Sequence, residues 1–281
     1  MPSVMKQSPL FLFVLFVVLA AYLVSVAMDC NKGVCQGDSI VGLKRDSNII
    51  ETPLYERPQL SDDDFLVEHT GFALSFDMET NCPRWVAWEL TGEEVETKAV
   101  VRGNDFRGDP LVPASHRVEA SDYRESGYDR GHMCPAGDMK WSSRSMSDCF
   151  YMSNICPQVG ELNRRWWEHL ESACRRWARR EGSVYICCGP LFKSSRRQKT
   201  IGGNVRVRVP NGFFKVVLSL REGAEKAIGF VYSNRDSRQP MDSAVCTVDS
   251  VEMLTGLDFF PLLPDSLEDR VEATSNLANW K

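Results

Sequence analysis

The stretch Asp129–Asp138 reads DRGHMCPAGD, and a second short motif, Asn154–Gln158 with the sequence NICPQ, follows it. Asn163 comes five residues after the glutamine of the second motif, and Glu171 comes eight residues after that asparagine. A given tetrapeptide occurs by chance at roughly one position in 10⁵, so DRGH alone carries a false-positive risk. The ordered series of histidine, amide and carboxylate side chains is far more specific, and it predicts a chemical site.

Apolar residues around these motifs predict strands and helices in irregular order. A helix follows the second motif, because apolar residues recur there at spacings of three and four before Gly182. Alternating apolar residues predict a hairpin before DRGH, with a turn at residues 81–83, and more strands after the helix. These residues are Trp166, Leu170, Cys174 and Trp177 for the helix; Phe72, Leu74, Phe76, Val86, Trp88 and Leu90 for the hairpin; Val184, Ile186, Cys188, Val205, Val207, Val209, Phe214, Val216, Leu218, Ile228, Phe230 and Tyr232 for later strands; and residues 249–254 for a short helix ended by Gly256. No regular βαβ alternation occurs, which favours the α+β class.

The N-terminal segment is apolar enough to be an export signal or a membrane anchor. No residue from Leu10 to Met28 is charged. A secretory apolar region is typically ~7–15 residues long, whereas ~18 or more can span a bilayer. We expect residues 1–28 to be a signal peptide or transmembrane anchor, residues 29–64 a linker and residues 65–281 one folded domain. This predicts an extracytoplasmic body that is periplasmic, secreted or anchored by a single N-terminal helix.

Composition excludes several classes of protein. The 281 residues are 43% hydrophobic and 25% charged, unlike a collagen-like or wholly disordered chain. The formal net charge of -5 does not indicate a polyanion-binding protein. Residues 160–210, however, hold twelve Lys and Arg against four Asp and Glu, a local balance of about +8. The ten cysteines fit an oxidising compartment, and both disulfides and buried free thiols stay open for each of them.

In these motifs the chain resembles the non-specific DNA/RNA endonuclease family. The resemblance covers about residues 68–265, including Pro83–Trp88 in the predicted hairpin and TGLDFFPLLPD from Thr255 to Asp265. It implies a ββα-metal, or His-Me finger, nuclease fold with a central antiparallel sheet flanked by helices. It also implies a metal-dependent endonuclease that hydrolyses phosphodiester bonds in DNA and RNA with little sequence specificity.

The resemblance implies a role for each motif residue. His132 is the general base, and Asn163 is the ligand of Mg²⁺, for which Mn²⁺ can substitute. Arg130 and Glu171 belong to the surrounding site, and Asn154 helps to orient it.

An arginine upstream of DRGH is expected to contact the scissile phosphate. Arg102 is the first candidate and Arg107 is the competitor. The resemblance implies DNA and RNA as substrates. The further partners we consider are a membrane, if the apolar residues 1–28 are uncleaved, and a second copy of the chain in a homodimer.

The chemistry of the residues agrees with these roles. A neutral imidazole, with an ordinary pKa of ~6.5, can accept a proton from water near pH 7. Mg²⁺ prefers oxygen ligands and keeps several waters, so the amide oxygen of Asn163 is an adequate anchor. Eight residues of straight helix rise ~12 Å, so Glu171 is better placed to hold a metal-bound water than to share inner coordination.

Simpler alternatives exist for the same residues. Asn163 is suited to a helix N-cap, Arg130 to an ion pair with Asp129, and Glu171 to an i,i+4 pair with Arg175. For the whole protein, the alternatives are a non-catalytic nucleic-acid-binding protein on the same scaffold and a phosphodiesterase for small substrates.

Overall fold

The computed structural model describes residues 53–193 and 198–281, which belong to one compact unit, Thr52–Lys281. The predicted signal or anchor segment, 1–28, and most of the predicted linker lie outside the described residues. The expected domain boundary at residue 65 falls inside the compact unit, where the Gln59 backbone N–H donates to the Asp258 carbonyl at 2.7 Å. Within the two described ranges, every helix is too short or too polar to cross a bilayer.

A seven-stranded antiparallel sheet forms the centre of the described unit, in the order β1-β2-β3-β6-β9-β10-β11. Two small ribbons, β4–β5 and β7–β8, lie outside it. The strands are β1 Leu66–His69, β2 Phe72–Asp77, β3 Cys82–Thr91, β4 Asp129–His132, β5 Ile155–Gln158, β6 Ser183–Leu191, β7 Thr200–Ile201, β8 Val207–Arg208, β9 Gly212–Ser219, β10 Lys226–Ser233 and β11 Val245–Cys246. The predicted α+β class and its central antiparallel sheet are confirmed.

Helices cover the sheet on both sides. They are α1 Gly92–Glu96, α2 Ser143–Asp148, α3 Glu168–Glu181, α4 Met241–Ala244, α5 Val248–Thr255 and α6 Asp265–Glu272. A π-helical segment, Leu162–Trp167, leads directly into α3. The predicted long helix is therefore confirmed, but its first turns are π rather than α. Gly182 and Gly256 end α3 and α5 with φ values of 92° and 69°, which glycine adopts without strain.

The predicted hairpin is confirmed as β2 and β3, which pair antiparallel. Its turn lies before Cys82 rather than at residues 81–83, and Asn81 adopts a φ of 54° there. The strand predicted at Val205–Val209 is shorter than expected, because only Val207 and Arg208 pair. Gly202 turns the chain just before it, and Pro210 just after it lacks the N–H needed to extend the ladder.

Side chains alternate between two cores on opposite faces of the sheet, as strand geometry requires. The first core packs against α3 and contains Leu74, Val86, Trp88, Ile186, Phe213, Val217, Phe230, Leu170 and Trp177. The second core packs against α5 and α6 and contains Ala73, Trp85, Ala87, Phe214, Val216, Val248, Val251 and Val271. The eight cysteines of the described ranges are free thiols, so the free-thiol alternative holds for them, while Cys30 and Cys35 lie outside these ranges.

Candidate active site

The predicted general base, His132, is the last residue of β4. The register of the β4–β5 ribbon sets Gly131 opposite Cys156 and His132 opposite Ile155. A Cβ atom at position 131 would overlap the side chain of Gln158, which crosses the ribbon at that point. Glycine is therefore the residue that fits in DRGH, and close packing of the ribbon fixes the direction in which His132 leaves the strand.

Asn154 fixes the turn that follows His132. It is fully buried, its Oδ1 accepts from the Cys134 N–H at 2.9 Å, and its Nδ2 donates to the carbonyls of Cys134 and Cys149 at 2.9 and 2.8 Å. Its own carbonyl accepts from the Met133 N–H at 2.9 Å. Backbone carbonyls therefore accept both N–H groups of the Asn154 side-chain amide. Asn154 is thus placed to orient the chain around His132 and does not line the cavity described below.

His132 is 8% exposed, and its ring packs against Phe106 and Phe150, with ring centroids 5.3 and 4.9 Å away. Its Nε2 is buried and bonds no residue of the described ranges. Burial, followed by the charges of Arg102 and Arg130, lowers the pKa of His132 to about 3. The imidazole is therefore neutral at physiological pH and is in the state that can accept a proton.

Asn163 lies in the π-helical segment, and Asp129 determines how its amide is used. Its Nδ2 donates to Asp129 Oδ2 at 3.0 Å, which leaves Oδ1 as an acceptor. The same carboxylate accepts from Arg164 Nε at 2.8 Å, and these hydrogen bonds outweigh burial and lower the pKa of Asp129. Asp129 pairs with Arg164 rather than with Arg130, so the alternative that explains Arg130 by an Asp129 ion pair is not what the structure contains.

The π segment changes the geometry expected between Asn163 and Glu171. In a regular α-helix eight residues make roughly 2.2 turns, which would rotate the two side chains about 80° apart. A π-helix has i→i+5 hydrogen bonds and more residues per turn, which reduces this offset. Both residues consequently line one cavity, although they are separated along the helix.

One cavity, of about 320 Å³, brings five of the six predicted site residues together. It is lined by Arg102, Arg130, His132, Asn163, Glu171, Lys140, Glu168, Arg175 and residues 135–137. A second cavity, of about 560 Å³, shares Arg102, Arg130 and Asn163 with the first and extends along Arg124, Tyr128 and Arg164. The two cavities adjoin at these shared residues, and basic side chains line both of them.

Glu171 is half-buried at the edge of the first cavity. Burial raises its pKa to about 7, with the charge of Lys215 acting in the opposite direction and that of Asp138 adding to the rise. The expected alternative, an i,i+4 pair with Arg175, is absent from the ion pairs of the described residues, since Arg175 bonds Asp138 at 2.8 Å instead. The Glu171 carboxyl is therefore not engaged by Arg175 and is available to a ligand in the cavity.

The structure distinguishes between the two upstream arginines. Arg102 lines both cavities, and its guanidinium lies 5.5 Å from the Phe150 ring centroid. Arg107 instead bonds Asp105 Oδ2 at 2.6 Å and the Ser147 carbonyl at 3.0 Å, and it lines neither cavity. The geometry favours Arg102 as the phosphate contact.

The donor set of the cavity fits a hard divalent cation. Asn163 Oδ1 is an oxygen donor held in place by Asp129, and the Glu171 carboxyl lies on the same cavity. Mg²⁺ and similar ions bind few protein oxygens and retain water, which matches one amide and one nearby carboxyl.

Two buried charged groups that sequence reasoning missed lie beneath the cavity. Asp138 is 1% exposed, accepts from Trp88 Nε1 at 3.2 Å and pairs with Arg175 at 2.8 Å. Lys215 on β9 is fully buried in the same region. The signal for Lys215 was a lysine inside the apolar strand FFKVVL, and Asp138 is the last residue of DRGHMCPAGD.

Comparison with known proteins adds independent findings. The model of the DNA/RNA non-specific endonuclease family matches residues 52–266. Human mitochondrial endonuclease G is 36% identical over 207 residues, which cover 70% of this chain and 69% of that protein. Nuclease 1, mitochondrial, of Schizosaccharomyces pombe is 36% identical over 69% of this chain and 65% of its own length. Nuclease C1 of Cunninghamella echinulata is 36% identical over 75% of this chain and 89% of its own length.

Solved structures agree with the sequence comparison. The crystal structure of an EndoG/EndoGI complex matches with a TM-score of 0.68 and 34% identity, covering 74% of this chain and 89% of the matched chain.

The expected extracytoplasmic location is wrong. The human relative and the relatives from fission and budding yeast are mitochondrial nucleases. The physical reason is that apolar length indicates only whether a segment can enter a bilayer, and it does not say which membrane system receives the segment. These relatives support nucleic acid as the substrate, but they give no support to membrane attachment through residues 1–28 or to a homodimer.

Proposed function

The chain belongs to the DNA/RNA non-specific endonuclease family and is a metal-dependent nuclease, and on this premise we propose that His132 is the general base of its phosphodiester hydrolysis. The observation that carries the proposal is the meeting of His132, Asn163 and Glu171 on one cavity of about 320 Å³.

His132 accepts the proton of the attacking water at Nδ1, because Nε2 is enclosed by the protein and out of reach of that water. The adjacent Phe106 and Phe150 rings hold the imidazole in one orientation. The low pKa of His132 in the free protein arises partly from Arg102 and Arg130. A bound phosphate neutralises these charges, which raises the pKa of the base towards the pH at which it works.

Asn163 Oδ1 would hold the divalent cation, Mg²⁺ with Mn²⁺ as a substitute, and Glu171 would hold one of its water ligands. Asp129 keeps the Asn163 amide in the required orientation by accepting its N–H. When bound, the cation supplies Lewis-acid stabilisation of the developing charge on the leaving oxygen. Asn163 is uncharged, so it leaves the positive charge of the ion available to the substrate.

Arg102 and Arg130 supply further positive charge at the phosphate, and the adjoining cavity extends it. Arg124 and Arg164 line this extension. Contacts of this type are made with phosphate groups, which DNA and RNA share, and they do not distinguish one base sequence from another. Little sequence specificity follows.

The test is digestion of supercoiled plasmid and of single-stranded RNA by the purified protein with Mg²⁺, with Mn²⁺ and with EDTA. We expect cleavage with either ion, none with EDTA, and a loss of ~10²–10⁴-fold for His132→Ala, the usual contribution of a general base. His169→Ala is the matched control, since His169 is an exposed histidine on α3 and lines neither cavity. Equal rates for wild type and His132→Ala would remove the proposed mechanism, and binding without cleavage under either ion would favour a non-catalytic protein.

A further inference from the structure

Lys215 is a lysine enclosed in the core beneath the site. It lies on β9, its side chain is fully buried, and its Nζ has no hydrogen-bond partner in the described part of the chain. A buried ammonium is costly unless other groups compensate its charge. Burial alone would lower the pKa of Lys215, but the nearby thiols and the carboxyls of Glu171 and Asp138 raise it above its ordinary value. Lys215 is therefore treated as a buried ammonium, with the carboxyls of Glu171 and Asp138 as the nearby groups that can compensate its charge.

Two indole rings enclose this cation. Nζ lies 4.6 Å from the ring centroid of Trp167 and 4.8 Å from that of Trp88. Both distances fall within the range of cation–π attraction, for which tryptophan is the best aromatic partner. Both rings are themselves buried, so the three side chains form one tightly packed group.

The indole N–H of each tryptophan also donates a hydrogen bond to a residue at or beneath the candidate site. Trp167 Nε1 donates to the His132 carbonyl at 3.3 Å. Trp88 Nε1 donates to Asp138 Oδ2 at 3.2 Å, and Asp138 in turn holds Arg175 on the wall of the cavity at 2.8 Å. The Lys215 ammonium is thus linked to the backbone of His132 through a single indole ring, that of Trp167.

Packing alone does not explain a charge at this position. A methionine would fill a similar volume on this strand between Phe214 and Val216 without the cost of burying an ion. The cation instead adds a directional attraction to the Trp167 ring, and the orientation of that ring determines where its N–H meets the His132 carbonyl.

We propose that Lys215 is a positioning residue for catalysis, which acts on His132 through Trp167. This rests on the proposed role of His132. Displacement of a reacting group by about 1 Å can cost 10²-fold in rate, so a buried residue that contacts no substrate can still limit the chemical step.

The experiment compares Lys215→Met with Lys226→Met in plasmid cleavage. Lys226 on the neighbouring β10 is a matched control, because its Nζ bonds Glu181 at 3.0 Å and lies 5.1 Å from the Trp280 ring centroid, away from both cavities. We expect Lys215→Met to lower kcat ~10–100-fold with KM within twofold of wild type. Lys226→Met should leave both constants unchanged. Wild-type kcat in Lys215→Met would overturn the proposal.

A double variant separates positioning from a general loss of structure. Effects that pass through one residue are non-additive. In the His132→Ala background, Lys215→Met should therefore cost less than about threefold, whereas a structural defect would multiply the two losses and contradict the proposal. An active His132→Ala single variant would instead refute the proposed function itself.

Trp167→Phe decides the question if Lys215→Met does not fold. This change keeps an aromatic ring and removes the N–H donor to the His132 carbonyl. We expect a kcat loss of at least about fivefold with unchanged KM. An unchanged kcat in Trp167→Phe would overturn the proposal.

Discussion

The two faces of the central sheet bury charge in opposite ways. The face that carries the candidate active site holds acids and bases together, namely Asp138, Glu171, Arg175 and Lys215. On the other side, α5, α6 and the segment between them cluster acids around the buried Glu272, namely the exposed Asp249 and Asp258 and the half-buried Glu252 and Glu268. Glu272 is buried with an unpartnered Oε1, and no lysine or arginine of the described ranges lies within ion-pair distance of it.

The difference shows what a buried carboxyl needs in order to remain ionised. Burial raises the pKa of Asp138 and Glu171, but Arg175 and Lys215 oppose the rise, and Glu171 reaches only about 7. Burial and then the surrounding carboxylates raise the pKa of Glu272 to about 9. The first face keeps charge available for chemistry, whereas Glu272 is a neutral acid in the folded protein.

The largest effect on stability is expected from removal of an anion on the active-site face. Asp138→Asn keeps an oxygen for Trp88 but removes the buried carboxylate partner of Arg175 and leaves it only the partly exposed Glu168, at 3.8 Å. Loss of one member of a buried pair costs about 3–5 kcal/mol, so we expect the free energy of unfolding to fall by about 3 kcal/mol. Denaturant unfolding measures it. Glu96→Gln, which breaks the exposed pair with Arg179, is the control and should change stability by less than ~1 kcal/mol. Equal losses of unfolding free energy in Asp138→Asn and Glu96→Gln would mean that the buried pair does not stabilise the fold more than an exposed one.

A smaller effect, on kcat/KM, is expected when Arg102 is replaced, because no carboxylate neutralises this arginine. Arg102 forms no ion pair in the described ranges, whereas Arg107 is paired with Asp105 at 2.6 Å. Arg102→Ala should lower kcat/KM by about 10–100-fold, or ~1.4–2.7 kcal/mol of transition-state stabilisation, because an unpaired guanidinium is free to meet the phosphate. Arg107→Ala should change kcat/KM by less than about threefold, and the reverse ranking of the two variants would assign the phosphate contact to Arg107.

The smallest effect is expected on the acidic face and depends on pH. An acid with a raised pKa in the folded state stabilises the fold below its ordinary pKa of ~4.5, and this stabilisation is lost as pH rises towards the folded value. Glu272→Gln cannot ionise, so it should raise stability by about 1–2 kcal/mol at pH 8 and leave it unchanged at pH 4. Thermal unfolding at both pH values measures this, with the exposed Glu222→Gln as control. A gain of the same size at pH 4 would show that ionisation is not the cause.

Local patterns predicted the elements well where one face of a strand or helix is buried. The alternation of Phe72, Leu74 and Phe76 and the spacing of Trp166, Leu170 and Trp177 follow directly from the geometry of strands and helices. The π segment before α3 was not predicted, because a change of i→i+4 to i→i+5 bonding leaves no clear trace in an apolar pattern.

The site was predictable to the extent that its chemistry lies in ordered motifs. His132, Asn163 and Glu171 stand at separations that resemble one family, and the cavity brings them together. Arg102 could not be separated from Arg107, because both lie in an irregular loop with no periodicity to orient their side chains. Arg102 is favoured only because the structure engages Arg107 with Asp105 and Ser147.

Residue types and their spacing along this chain were enough to predict the antiparallel α+β framework, and the resemblance of its motifs to one family was enough to propose the histidine, amide and carboxylate of the candidate site. The partners of those groups depended on folding, because Lys215, Trp88 and Trp167 come from distant parts of the chain and only β-sheet pairing and helix packing make them neighbours. Whether a buried acid is ionised likewise depends on which cations folding places beside it, and the spacing of residues in a sequence does not contain that information.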